Sequence, residues 1–243
     1  MNKKKILIII PAYNEEDNIL KTVNSIYEYN KKNKTNYNVI VINDGSKDRT
    51  KEILEKNSIP HINLIHNLGI GGAVQTGYKY AYYNNYDIAV QFDGDGQHDV
   101  NYVENIIKPI IEEKANMVIG SRFIDKNAKG FKSSASRRIG IKIISTFMKF
   151  ATHKKIYDTT SGFRACDKEL IYDFSLSYPS EYPEPVTTTE VLRKKYKVKE
   201  VSVEMKEREG GVSSIRAWKS VYYMMNVCLA LVIIKTRRYK KCQ

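Results

Sequence analysis

The chain contains no apolar run of the ~18 residues that a membrane-crossing helix requires. Its last apolar run, Val221 to Ile234, has 14 residues. As a helix that is about 21 Å, short of the roughly 30 Å hydrocarbon layer. Lys219 and Lys235 close it at either end. The first apolar run, Ile6 to Ile10, is too short for a signal peptide and ends at Pro11. Cysteine is scarce. Cys166, Cys228 and Cys242 are an odd set with no metal or redox spacing, which excludes a disulfide framework and fits a reducing compartment. Walker, HExxH and GxSxG motifs are missing, so the chemistries they carry have no support. Gly69-Ile70-Gly71-Gly72 is not a dinucleotide fingerprint. The third glycine would fall at Val74, and the loop follows the third strand, not the first.

What the chain does have is positive charge. The net charge is +13 over 243 residues, and Lys206 to Gln243 contributes nine Lys/Arg against two Asp/Glu. That basic end carries no recognised nucleic-acid-binding motif, so no nucleic-acid partner is expected. Lys235, Arg237, Arg238, Lys240 and Lys241 suit an anionic leaflet, at about 1 kcal/mol each. Richness in Lys, Asn and Tyr points to an AT-rich bacterial genome.

Hydrophobic patterning alternates strand and helix. Strands are expected at Lys5–Ile10, Tyr37–Ile42, Ile62–Ile65, Asp87–Phe92 and Met117–Ile119. Between them fall helices: one after Asn14, its presumed cap, with Ile19, Leu20, Val23, Ile26 and Tyr27 on its packing face; one over Arg49–Lys56, capped by Asp48 or Ser46; one reaching Tyr83; and one from Val100 to Glu113. This order predicts an α/β fold, a Rossmann-like, mostly parallel sheet with helices on both faces. Arg137 and Arg138 open a further helix that sets Gly140, Ile143, Ile144, Phe147, Met148 and Ala151 on one face. The expected division is a catalytic domain over 1–214 and a C-terminal amphipathic helix with a basic tail over 215–243.

Three polar clusters, Tyr13–Glu15, Asp44–Ser46 and Asp93–Gln97, each follow a strand. In an open parallel sheet those ends share one edge, where ligands bind. The central cluster, Asp93-Gly94-Asp95-Gly96-Gln97, places two carboxylates one residue apart. Such a pair can hold one hard divalent cation, whose open positions a diphosphate fills. A plain strand-ending turn is the alternative. A calcium loop fits less well, because His98 stands where that loop needs Gly and a strand precedes it.

Five motifs occur in order: Pro11-Ala12-Tyr13-Asn14-Glu15-Glu16, Asn43-Asp44-Gly45-Ser46, Asp93-Gly94-Asp95, Gly120-Ser121-Arg122-Phe123 and Asp158-Thr159-Thr160-Ser161-Gly162-Phe163-Arg164. Over Lys5 to Ser214 the chain resembles family 2 glycosyltransferases of the GT-A fold. It is most similar to the branch containing dolichol-phosphate mannose synthase and the bacterial polyprenyl-phosphate glycosyltransferases. The resemblance implies an inverting transferase with a nucleotide-sugar donor and Mg²⁺ or Mn²⁺. It implies nucleotide-sugar binding at Pro11, Tyr13, Glu15, Asp44, Gly69 and Asp93, and metal and diphosphate binding at Asp93, Asp95 and Gln97. It also implies acceptor-phosphate binding at Arg122, Arg137, Arg208 and Ser213, with Arg138 less secure. Asn43 departs from the Asp of many relatives, but Asp44 is kept.

The acceptor decides the mechanism. A phosphate monoester is already a nucleophile at neutral pH, with a second pKa near ~6, and needs aligned cations more than a base. A sugar hydroxyl, as in polysaccharide biosynthesis, needs a carboxylate, for which Glu184 and Asp158 are the candidates. No spanning domain accompanies the catalytic residues. The expected location is therefore cytoplasmic, peripheral on the inner face of the cell membrane, with a membrane-protein partner or a homodimer through the Val221–Ile234 helix as further contacts.

Overall fold

A computed structural model describes residues 4–124, 135–205, 217–237 and 239, with backbone only for 135–138 and 217–223. Among the described residues seven strands form one sheet. In chain order they are β1 (Ile6–Ala12), β2 (Asn38–Asn43), β3 (His61–Asn63), β4 (Ile88–Gln91), β5 (Met117–Ser121), β6 (Arg164–Asp167) and β7 (Val198–Ser202). Their spatial order is β3-β2-β1-β4-β6-β5-β7. All neighbouring pairs are parallel except those of β6, which runs antiparallel to both β4 and β5. Because β6 is reversed, its first residue, Arg164, lies opposite Gln91 at the last residue of β4. The loop leading into β6 therefore reaches the rim where its neighbours end.

Alternation along the central strands assigns the two faces. Ile6, Ile8 and Ile10 of β1 pack with Ile88, Val90 and Phe92 under α1 (Ile19–Asn33), α2 (Thr50–Lys56) and α4 (Val103–Ile111). Leu7, Ile9 and Ala89 face the other way. They meet α3 (Gly69–Tyr83), α5 (Ala135–Thr152), α6 (Lys168–Leu176), α7 (Pro183–Arg193) and α8 (Ala217–Thr236). The sheet is thus mostly parallel and covered on both sides.

Several local expectations shift. Helix α1 starts at Ile19 after Asn18, not at Asn14, which has φ 55°. Tyr27 is exposed, and Tyr29 takes the buried place. Asp48 does serve the start of α2, accepting from the Thr50 amide at 2.9 Å. The C-terminal helix is not amphipathic in the expected sense. Val227, Leu231 and Ile234 are buried with the core. Met225, Leu229, Val232 and Ile233 on its other side are exposed, so both sides are apolar. Gly140 of α5 lies against Met224, and Lys235 sits 3.2 Å over the Phe150 ring. The two helices therefore run side by side in the same direction. Among the described residues no helix is long and apolar enough to cross a membrane.

Candidate active site

Backbone hydrogen bonds draw the strand ends together. The Asp44 amide donates to the Ala12 carbonyl at 2.8 Å, and the Phe92 amide donates to Ile9 at 2.9 Å. The loop after β1 is stitched to the one after β2. The Asn14 amide donates to Ser46 Oγ at 2.9 Å, Asn14 Oδ1 accepts from the Lys47 amide at 2.8 Å, and the Glu15 amide donates to Thr50 Oγ1 at 2.9 Å. Asn14 is thus a bridge between loops. The Asp44 carboxylate is buried, and its Oδ1 accepts from the Leu68 amide at 2.7 Å. Burial pushes the Asp44 carboxyl up from its usual range, and the Leu68 and Gly69 amides pull it back. Gly69 opens α3 with φ +75°, a conformation that favours glycine. On the other side of β1, a β-carbon on Gly94 would sit 3.2 Å from the Pro11 carbonyl. Pro11, Asp44, Gly69 and the Asp93–Gln97 loop consequently share one rim, where Tyr13 is 43% exposed.

The acidic loop is held by a histidine that the sequence reading passed over except as the residue excluding a calcium loop. His98 is buried, stacked on Phe163 at 4.7 Å and edge-on to Phe92 at 5.3 Å. Burial pushes its pKa down to about 4, so the ring is neutral. Its Nδ1 accepts from the Asp93 amide at 3.0 Å, which leaves the proton on Nε2, 3.4 Å from Asp93 Oδ2. Asp95 Oδ1 accepts from the Gln97 amide at 3.1 Å, closing the turn.

No cluster of three or more His, Cys, Asp or Glu that could hold a metal occurs among the described residues. The residues present still fit a hard cation bound jointly with a diphosphate, since Asp93, Asp95 and Gln97 offer oxygen donors only. Gly162 makes room for the Asp93 carboxylate itself. A β-carbon there would lie 2.8 Å from Asp93 Oδ2 and 3.0 Å from Oδ1.

The expected acceptor residues are less gathered. Arg122 points at Asp158 in a two-pronged pair, Nε to Oδ2 at 2.7 Å and Nη2 to Oδ1 at 2.8 Å, and Nη2 also reaches Thr160 Oγ1 at 3.1 Å. Asp158 is fully buried, and its own amide donates to Glu200 Oε1 at 2.8 Å. That corrects the reading of Asp158 as a base, because both its oxygens are committed to a buried guanidinium. Arg137 lies in the first turn of α5, where only the backbone is described, and Arg208 and Ser213 lie outside the described residues.

Glu184 is in the first turn of α7. Burial raises its pKa, the Arg164 guanidinium opposes that, and repulsion from Asp93 adds to it. Glu184 therefore belongs to the same electrostatic neighbourhood as the acidic loop. Arg164 was quoted in the sequence only as the end of a motif, yet it is fully buried and organises this corner. It donates to the Ser161 carbonyl from Nε and Nη2 at 3.2 and 2.7 Å. Its Nη1 donates to Thr187 Oγ1 at 3.0 Å and the Glu184 carbonyl at 3.4 Å, which joins the loop before β6 to α7. Charge at the mouth of an apolar strand was the only sequence signal for it.

A doubly covered, mostly parallel sheet with polar loops at its strand ends hosts many chemistries, so the class is settled by sequence similarity and not by the fold. Residues 7–174 match Glycosyl transferase family 2, and the chain belongs to that family. It is 33% identical over 216 residues to a UDP-N-acetylglucosamine–dolichyl-phosphate N-acetylglucosaminyltransferase of Methanococcus voltae, covering 82% of this chain and 83% of that one. It is 25% identical to a polyprenol monophosphomannose synthase of Mycolicibacterium smegmatis, covering 87% and 81%. In fold it is similar to glucosyl-3-phosphoglycerate synthase from Mycobacterium tuberculosis, solved with Mn²⁺, UDP and phosphoglyceric acid. That match has a TM-score of 0.67 at 17% identity and covers 96% of this chain and 79% of that one.

Proposed function

We propose that this glycosyltransferase moves one sugar, with inversion, from a UDP-sugar to a polyprenyl phosphate at the inner face of the cell membrane. The observation that carries the donor half is the meeting of Asp44, Gly69 and the Asp93–Gln97 loop on one strand-end rim. Pro11, Tyr13, Glu15, Asp44 and Gly69 surround the nucleoside in this reading. Asp93, Asp95 and Gln97 would hold Mg²⁺ or Mn²⁺, whose charge offsets the negative charge growing on the departing diphosphate. His98 keeps the Asp93 backbone in place from its neutral, stacked position. The relatives named above act on dolichyl or polyprenol phosphates, which supports the acceptor half.

A phosphate acceptor attacks without a base, so this chain's task there is to align it. Arg137, Arg208 and Ser213 are assigned to the acceptor phosphate. Arg122 shares that role through the loop it braces with Asp158. The exposed stripes Ile139, Ile143, Phe147 and Phe150 of α5 and Met225, Leu229, Val232 and Ile233 of α8 supply an apolar surface for the bilayer. The basic tail adds attraction to anionic lipid. Residues 1–214 are then the catalytic part and 215–243 the membrane contact.

The test is incubation with a panel of nucleotide-sugars, Mn²⁺ and undecaprenyl phosphate, with products read by mass. A glycosylated lipid phosphate is expected, and its absence with every donor overturns the proposal. A second reading, transfer to a glycan hydroxyl, is favoured by one observation. Glu184 lies in the field of Asp93 with its pKa raised, as suits a general base. Glu184→Gln separates the two. Phosphate glycosylation should stay within a few-fold, whereas hydroxyl transfer should fall by about 10²-fold or more.

A further inference from the structure

Strand β4 carries an anomaly on the face opposite Val90. After Ala89 the alternation calls for an apolar residue, and the position holds Gln91, which is fully buried. A primary amide brings two N–H donors and an accepting oxygen. Neither Gln91 Nε2 nor Oε1 reaches hydrogen-bond geometry with any protein group. Buried polar groups are normally paired, so an orphaned amide beside a reaction centre needs a partner that the protein does not supply.

Its surroundings say where that partner sits. Arg164, opposite on β6, only donates, and its nitrogens are turned to Ser161, Glu184 and Thr187. A β-carbon on Gly162 would lie 3.1 Å from Gln91 Nε2 and 2.8 Å from Asp93 Oδ2. The amide and the Asp93 carboxylate therefore both pack against Gly162, an approach that a side chain at 162 would block. The Glu184 carboxyl approaches the Gln91 amide from α7, closely enough to have its pKa lowered but short of hydrogen-bond geometry. This corner lies away from Asp44 and Tyr13, the nucleoside side of the rim, and next to the carboxylate assigned to the diphosphate. The group joined directly to that diphosphate is the sugar.

We infer that Gln91 reads the donor sugar, pairing its unpartnered amide with a ring hydroxyl or an acetamido group, and so sets which sugar is transferred. The inference rests on the donor half of the function proposed above. A group able both to donate and to accept suits a polar ring substituent, and a site built around such a pairing rejects analogues that lack it.

The test uses the full chain with Mn²⁺ and the probes UDP, UDP-glucose, UDP-N-acetylglucosamine, GDP and GDP-mannose, titrated by calorimetry. Gln91→Met keeps the length and removes the hydrogen bonds. Its affinity for the sugar-nucleotide preferred by wild type should fall about tenfold, the equivalent of one lost hydrogen bond. Affinity for the matching nucleoside diphosphate should stay within twofold, and preference among the sugars should narrow. Equal affinities in variant and wild type, or a wild type that binds sugar-nucleotide no better than bare nucleotide, would overturn the inference alone. A wild type that binds none of the five would overturn the proposed function itself. Should Gln91→Met fail to fold, nitrogen-15 spectra of wild type decide. The Gln91 side-chain amide should shift on adding the preferred sugar-nucleotide and not on adding its nucleoside diphosphate. A shift with both, or with neither, overturns the inference.

Discussion

At the strand-end rim, main-chain groups do most of the positioning. The loops after β1, β2 and β4 are tied through the Asp44, Asn14, Glu15 and Phe92 amides and through Gly94 pressed on Pro11. On the helical flank of α5 and α8, side chains carry the surface. One side of each helix enters the core, and the other leaves Phe150, Leu229 and their neighbours uncovered. The first region is directional and intolerant, since hydrogen bonds fix distance and angle. The second is graded, since apolar contact scales with area and not with orientation. A site that must hold a reacting diphosphate calls for the first kind, and a surface that must meet a fluid layer calls for the second.

The contrast can be broken at the joint between the regions, where the largest effect is expected. Asp158→Ala leaves a buried Arg122 without its carboxylate, the two side chains being 0% and 8% exposed. The expected loss is about 3–5 kcal/mol of stability, measured by urea unfolding. A loss under about 1 kcal/mol would mean that the pair is not buried as described. At the rim, Asp95→Ala should lower transfer about 10²–10³-fold with stability within about 0.5 kcal/mol of wild type, read from initial rates and a melt.

The flank should respond more gently. Leu229→Ser removes one exposed apolar side chain and is expected to weaken co-sedimentation with anionic vesicles about tenfold, with catalysis on a soluble acceptor unchanged. A loss of dimer in gel filtration, with vesicle binding intact, would instead identify α8 as a subunit contact. The smallest effect compares two thiols in a Cys242→Ser background. Burial lifts the Cys166 thiol to about 12, and it also raises the thiol of Cys228, which is half-exposed. An unfolded thiol ionises near ~8.5, so the folded state holds the Cys166 proton more tightly, and this contribution to stability is whole below that pH and lost as pH climbs toward 12. At pH 8 iodoacetamide should label Cys228 and spare Cys166, and vesicles should slow the first reaction.

Much of the rim was legible from residue order. Asp44, Asp93 and Asp95 each follow an apolar run, and strand ends in a parallel sheet must meet, so their proximity could be inferred without coordinates. The two-faced covering of the sheet was legible through the unbroken apolar run of Ile6, Leu7, Ile8 and Ile9, since a strand buried on one face only would alternate with polar residues. Less visible were residues whose meaning lies in a distant partner. Asp158 reads as a free acid until Arg122 is set against it, and Asn14 reads as a helix cap until Ser46 and Lys47 are brought beside it. Gln91 reads as one more polar residue at a strand end until its burial and lack of a partner are seen.

The amino-acid order alone determined the kinds of element, their parallel arrangement and the chemistry offered at the rim, because periodicity and turn residues act over a few neighbours. Only the tertiary structure decided the reversal of β6, the burial of Arg164 and Gln91, and the pairing that takes Asp158 out of reach. Those depend on which groups lose water together, and desolvation is a property of the packed chain and not of any stretch of it.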